Sequence, residues 1–133
     1  MNKAALILIV LLGAGLNSFA QTNSTPGAPT ADIVAATKKF LATLVDAQRD
    51  KVVFDFKDDA QRKRWSNLPS AIFKRQGLRM GDLIQPQRDA VLAVLAAALS
   101  PQGYEKILQI VEGDEVLKKS SGQTIFGRDE YYV

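Results

Sequence analysis

Ten consecutive residues, Ala90 to Leu99, carry no polar side chain at all. A helix that is apolar all round has to be buried, so the rest of the chain must be arranged to cover this run. Two start signatures bracket it. Gln85-Pro86 precedes it and Ser100-Pro101 follows it, and proline suits the first helical turn because the N–H it lacks would have no partner there. The expectation is a mainly α protein built around an antiparallel helical hairpin, Gln85 to Leu117, since so short a connection makes consecutive helices neighbours. At about 100° per residue Leu92, Leu95 and Leu99 share one stripe. The return helix should meet it with Tyr104, Ile107, Leu108 and Val111. Ala90, Ala93 and Ala97 form a second, smooth face that the return helix cannot also cover, which calls for a packing partner, either a missing C-terminal portion or another chain. Lys118 and Lys119 favour the end of that helix, and Gly122 terminates it.

The N-terminus reads as an export signal. Lys3 gives a positive start, Ala4 to Leu16 is an uncharged apolar run, and Ser18-Phe19-Ala20 places small residues where a signal peptidase reads. Residues 1–20 are therefore expected to be cleaved after Ala20, leaving a periplasmic or secreted protein with no membrane contact, because a bilayer span needs roughly 17–25 apolar residues. Residues 21–30, rich in Ser, Thr, Pro and Gly, read as a disordered spacer, and 31–133 as the helical domain. With no cysteine, that domain must hold together by apolar burial rather than by disulfides.

Along the chain, Thr30 is placed to cap a helix whose Ile33, Thr37, Phe40, Leu41 and Leu44 follow helical spacing, with Lys38 and Lys39 outside. Next comes an internal echo. Leu44-Val45-Asp46-Ala47-Gln48-Arg49-Asp50-Lys51-Val52 matches Leu83-Ile84-Gln85-Pro86-Gln87-Arg88-Asp89-Ala90-Val91 at Leu, Gln, Arg, Asp and Val. Two copies are too few for a solenoid, so this is one helix-start device used twice, with Asp46 standing where Gln85 stands. Val53 to Phe56 is extended and β-prone, Asp58 caps a short turn with Gln61 at its third position, and Tyr131-Tyr132-Val133 is a second short extended segment, expected to pair with 53–56 or to begin a sheet.

Between Trp65 and Gly81 no period fits. A loop of this length is functional or disordered, and Trp65, Leu68, Ile72 and Phe73 argue for a loop pinned down by apolar contacts. Its rim then presents Trp65, Lys74, Arg75 and Arg79 as a candidate anion- or ligand-facing surface. From Arg49 to Arg79 there are nine basic and four acidic residues.

The chemistry the chain lacks is as informative. It has no histidine, the commonest metal ligand and general base, and no cysteine. Asp58 and Asp59 are adjacent and point apart on a helix, and Glu112, Asp114 and Glu115 match neither a calcium loop nor a di-iron motif. No catalytic residue, metal ligand or cofactor is therefore expected. A formal charge of +3 and export together exclude nucleic acid as a partner, so Arg62-Lys63-Arg64-Trp65 reads as surface rather than as a phosphate grip.

One resemblance emerges from the ordered set Val53-Phe54-Asp55-Phe56, Arg64-Trp65-Ser66-Asn67, Gly77-Leu78-Arg79-Met80-Gly81-Asp82-Leu83, Gln87-Arg88, Ala97 to Tyr104, Phe126-Gly127 and Glu130 to Val133. It resembles the N-terminal portion of the bacterial domain-of-unknown-function family 3500, over roughly Ile33 to Val133. The resemblance implies an exported protein whose relatives continue into a second, strand-rich portion containing Gly-His-His. The same resemblance implies that residues 31–133 are the incomplete N-terminal part of a larger domain, and the absence of histidine and cysteine with the uncovered Ala90, Ala93 and Ala97 face points to a non-catalytic packing or binding module of unknown function. The alternative reading is the N-terminal part of an exported hydrolase, a metal-dependent one included, whose catalytic residues lie in the missing C-terminal portion.

Overall fold

The computed structural model describes residues 28–133. The signal segment and most of the spacer lie outside them. The described residues form five helices: α1 (Ala28–Ala42), α2 (Asp46–Val52), α3 (Asp59–Arg62), α4 (Gln85–Ala98) and α5 (Pro101–Ser121), with short 3-10 turns at Met80–Asp82 and Arg128–Glu130. The protein is mainly α. Helix α1 starts at Ala28, two residues ahead of Thr30, because Pro29 is accommodated in a first turn, where no N–H is needed.

The repeated nine-residue segment does in space what its sequence implies. Val45 and Ile84, the residues before α2 and α4, share the same extended backbone (ψ 161° and 160°). Gln48 Oε1 accepts the Val45 N–H at 3.2 Å, and Gln87 Oε1 accepts the Ile84 N–H at 3.2 Å. Each glutamine thus satisfies an N–H that the helix start leaves without an internal acceptor. Leu44 and Leu83, one residue further back, are both buried. Moreover, the two starts meet: Gln87 Nε2 donates to Gln48 Oε1 and to the Thr43 carbonyl, each at 3.0 Å. Gln87 is the one buried polar side chain among the described residues.

That meeting places the core elsewhere than in the expected hairpin. Phe40, Leu44, Leu78, Leu83 and Val91 are the buried residues, flanked by Leu41, Val52, Met80, Ala90 and Val94. Helix α4 packs along α1, and α5 scarcely touches it. The two helices of the hairpin follow one another in sequence without pairing. Val91 and Val94 lie on the same side of α4 as Gln87, so the glutamine that docks on the first helix start also turns this side toward α1. The Leu stripe is displaced from it by roughly a quarter turn. Leu92 and Leu95 are consequently half-buried and Leu99 is exposed. Of the second face, Ala90 already packs on the core, Ala97 is half-buried and Ala93 is exposed.

On α5, Tyr104, Ile107 and Val111 turn inward as expected, but Leu108 does not. The inward stripe continues through polar residues, Asp114, Glu115 and Lys118, and what it covers is the segment before the C-terminus. Arg128 reaches Glu112 at 2.9 Å and its backbone N–H reaches Glu115 at 3.2 Å. Gly122 ends the helix in the left-handed conformation, φ 69°, which glycine adopts without strain.

Residues 131–133 pair with neither Val53 nor Phe56. They run antiparallel to 78–80: Leu78 N–H donates to the Val133 carbonyl at 2.8 Å, Val133 N–H to that of Leu78 at 3.0 Å, and Met80 N–H to that of Tyr131 at 2.8 Å. Leu78 is in the core, so this short ladder ties the end of the chain to the buried centre, whereas Val53 to Phe56 lie exposed beyond α2. The turn at 58–62 is as read, with Asp58 Oδ1 accepting the Gln61 N–H at 2.9 Å.

Candidate functional site

The long connection from Lys63 to Gln76 carries the candidate residues, and arginines hold it rather than apolar side chains. Trp65 is 81% exposed and Ile72 70% exposed, which corrects the expectation that they pin the loop. Instead, Arg64 Nη2 donates to the Lys74 carbonyl at 2.6 Å, and Arg75 Nη2 donates to the carbonyls of Ser66 (3.1 Å) and Leu68 (2.7 Å). A backbone without helix or sheet partners needs donors from side chains, and guanidinium groups supply several at fixed angles. Once the carbonyls are satisfied in this way, the loop closes around Phe73. The Arg64 and Arg75 guanidinium carbons lie 4.9 and 5.9 Å from the centre of that one ring.

Two clefts open on either side of Arg75 and Tyr132, which line both. The first, about 380 Å³, runs between Asn67–Ser70 and the 125–132 segment; Asp114 and Glu130 are on its wall. The second, about 260 Å³, is lined by Gln61, Arg64, Trp65, Ser66, Phe73, Arg75, Gln76 and Tyr132.

The carboxylates of the first cleft are already engaged. Glu130 accepts from Arg79 Nη1 at 2.7 Å and from the Ser70 hydroxyl at 3.1 Å. Asp114 accepts the Tyr131 hydroxyl at 2.6 Å. Burial, reinforced by that hydrogen bond to a carboxylate, pushes the Tyr131 phenol up to about 12. On the α5 side, the Arg128 backbone N–H holds the Glu115 carboxyl below its usual range, against the opposing effect of desolvation. These groups tie the 125–132 segment to the loop and to α5.

The second cleft is the opposite case. Among the described residues no carboxylate stands within 4.0 Å of Arg64, Lys74 or Arg75, whereas Arg49, Arg62 and Arg88 each have one and Arg79 and Arg128 each have two. Of the four residues expected at the anion-facing surface, the structure brings Trp65 and Arg75 together here. Lys74 is exposed and contributes its backbone carbonyl to Arg64. Arg79 is spent elsewhere: it bridges Asp82 and Glu130, each at 2.7 Å. Its hydrogen bond to Asp82, with that to Glu130, raises the guanidinium above its ordinary value despite burial. Arg64 and Phe73 are the members that sequence reasoning passed over as part of a site; the spacing Arg64…Phe73…Arg75 carries no periodic signal, because it reflects a loop folded back on itself.

Tyr131 yields a checkable pH dependence. A phenol raised in the folded state stabilises the fold fully below its unfolded value of about 10, and the contribution is lost as pH rises toward the folded value of about 12. Urea midpoints measured from pH 8 to 12 should therefore fall above pH 10, and Tyr131→Phe should flatten that fall. An unchanged slope in the variant would place the alkaline sensitivity elsewhere.

Comparison with known proteins gives one match. The family model described as "Protein of unknown function (DUF3500)" matches residues 26–133. Nothing among the curated proteins or the solved structures matches the chain. No helix among the described residues is long and apolar enough to cross a membrane.

Proposed function

The chain belongs to the DUF3500 family, and on that premise we propose that it is a non-catalytic binding module of an exported bacterial protein. The observation that carries this reading is the division of labour around Arg75. The carboxylates beside the clefts, Asp114 and Glu130, are engaged in holding the fold, and a general base needs a free acceptor within reach of a substrate proton. The groups left for a ligand are guanidinium, amide and aromatic, which recognise without transferring protons. With no histidine or cysteine in the sequence, the module contributes affinity rather than turnover. Packing against a further portion of the same protein, or against another chain, would use the Ala93 and Ala97 side of α4.

Export is supported by Lys3, the apolar run Ala4 to Leu16 and Ser18-Phe19-Ala20. The family match begins at residue 26, past the expected cleavage point. Expressed with its leader in a Gram-negative host, the protein should appear in the periplasmic fraction with an intact mass beginning at Gln21. A cytoplasmic product retaining Met1 would refute export. Incubated with ester, glycoside and phosphate substrates, the purified chain should release no product; saturable turnover of any of them, lost in Glu130→Gln, would refute the binding reading.

A further inference from the structure

We propose that the cleft lined by Arg64 and Arg75 is a binding site for a carboxylate carried on a ring, as in a sugar acid or an aromatic acid. This rests on the binding-module reading and adds to it the chemistry of the ligand.

The argument starts from electrostatics. Two like charges share the Phe73 ring at 4.9 and 5.9 Å with no carboxylate within 4.0 Å of either among the described residues. Their mutual repulsion is relieved when an anion enters the cleft that both residues line. Elsewhere in this chain, arginines on the 3-10 turns and helices meet carboxylates; here the partner is left to come from outside.

The donors are also held ready. The hydrogen bonds that Arg64 and Arg75 make to the Lys74, Ser66 and Leu68 carbonyls all use Nη2. That leaves the N–H groups of Nε and Nη1 on each side chain for a ligand, on guanidiniums whose positions are already fixed. A carboxylate accepts such charge-assisted bonds well, and fixing the donors beforehand lowers the ordering cost of binding.

The body of the ligand follows from the remaining walls. Trp65 turns 81% of its surface to solvent beside Phe73, while the amides of Gln61 and Gln76 and the Tyr132 side chain complete the lining. A flat or ring-shaped body covers the indole, and hydroxyls on it would find the amides. The volume of about 260 Å³ admits one ring with its acid. A longer ligand would continue past Arg75 and Tyr132 into the first cleft, where Asp114 and Glu130 oppose a second negative charge. One acidic group per ligand is thus favoured.

Trp65 is the only tryptophan in the sequence, so its fluorescence reports on this cleft alone. The full chain is titrated with galacturonate, benzoate, galactose, benzyl alcohol and inorganic phosphate at low and high salt. The expected result is a saturable change with galacturonate or benzoate, weakened by salt, and none with the two neutral rings. Galacturonate alone would assign a sugar acid, benzoate alone an aromatic acid. Arg64→Gln should weaken the effective acid about tenfold or more, and Lys38→Gln, on exposed α1 surface, should leave it unchanged. Arg75→Lys, which keeps the charge, tests the cleft where Arg75→Gln fails to fold, and thermal melts of each variant establish that it does fold. Equal responses to acids and their neutral counterparts, phosphate binding as tightly as the acids, or no response at all would each overturn the proposal. Those results leave the binding-module reading to its own turnover assay, which fails only if product is released.

Discussion

Gln87→Glu should destabilise the protein at pH 7 by about 3 kcal/mol or more, because an uncompensated buried charge costs several kcal/mol. Against a typical stability of roughly 5–15 kcal/mol, this is a large loss for a fold with so small a core. The reason is directional. Gln87 uses its amide nitrogen as a donor, to Gln48 Oε1 and the Thr43 carbonyl, each at 3.0 Å, and a carboxylate would set negative charge against both acceptors. The loss should shrink on acidification, since the protonation of a carboxyl whose pKa is raised by burial favours the fold fully below its unfolded value of about 4.3, and that contribution is lost as pH rises through the folded value. Gln48→Glu is the informative contrast. The hydrogen bonds of the Gln48 side chain are both accepted through Oε1, from Val45 and from Gln87, so a carboxylate preserves them. Urea denaturation at pH 4 and pH 7 decides the matter. Two glutamate variants that lose equal stability at pH 7 would show that the paired helix starts do not have this polarity.

Gly77→Ala should be nearly as damaging, by about 3 kcal/mol, combining a left-handed backbone penalty of roughly 1–2 kcal/mol with the loss of the ladder that follows it. Gly77 has φ 101°, and a Cβ there would run into the Val133 carbonyl, the acceptor of the Leu78 N–H. The residue must therefore distort or the 131–133 segment must leave. Departure would expose Leu78 and release Tyr131 from Asp114. Gly122→Ala separates the two contributions: φ is 69° there, yet nothing stands within 4 Å of the added carbon, so only the backbone penalty remains. Hydrogen exchange should show the amides of Leu78, Met80 and Val133 losing protection in Gly77→Ala and keeping it in Gly122→Ala. Matching melting temperatures and matching exchange in the two variants would mean that the end of the chain contributes nothing to the core.

The sequence was most legible where chemistry is local. The starts of α4 and α5, the Asp58 cap, the Gly122 terminator and the inward side of α1 all depend on residues within a turn of one another, and they stand where the spacing puts them. The loop was legible in its importance but not in its mechanism. Its aromatic and aliphatic residues look like anchors, yet the carbonyls between Ser66 and Lys74 need donors more than Trp65 and Ile72 need burial. Arg64 and Arg75 therefore became the fasteners, and the site formed around them. Arg79, alike in type, was drawn instead to Asp82 and Glu130, a choice set by a residue 51 positions away.

What the sequence determined by itself is that a face of α4 is buried, that two segments begin helices by the same device, and that the sequence offers no histidine or cysteine chemistry. What only the tertiary structure decided is which face of α4 is covered and by what. A ten-residue apolar run has no polar side chain to orient it, so the Leu stripe and the Val91–Val94 side are nearly equivalent as buried surface. Gln87 breaks the tie. Its amide is satisfied when it docks on the first helix start, and that single polar requirement rotates α4 onto α1, leaving α5 to hold the Arg128 segment and the long loop to gather its arginines around Phe73.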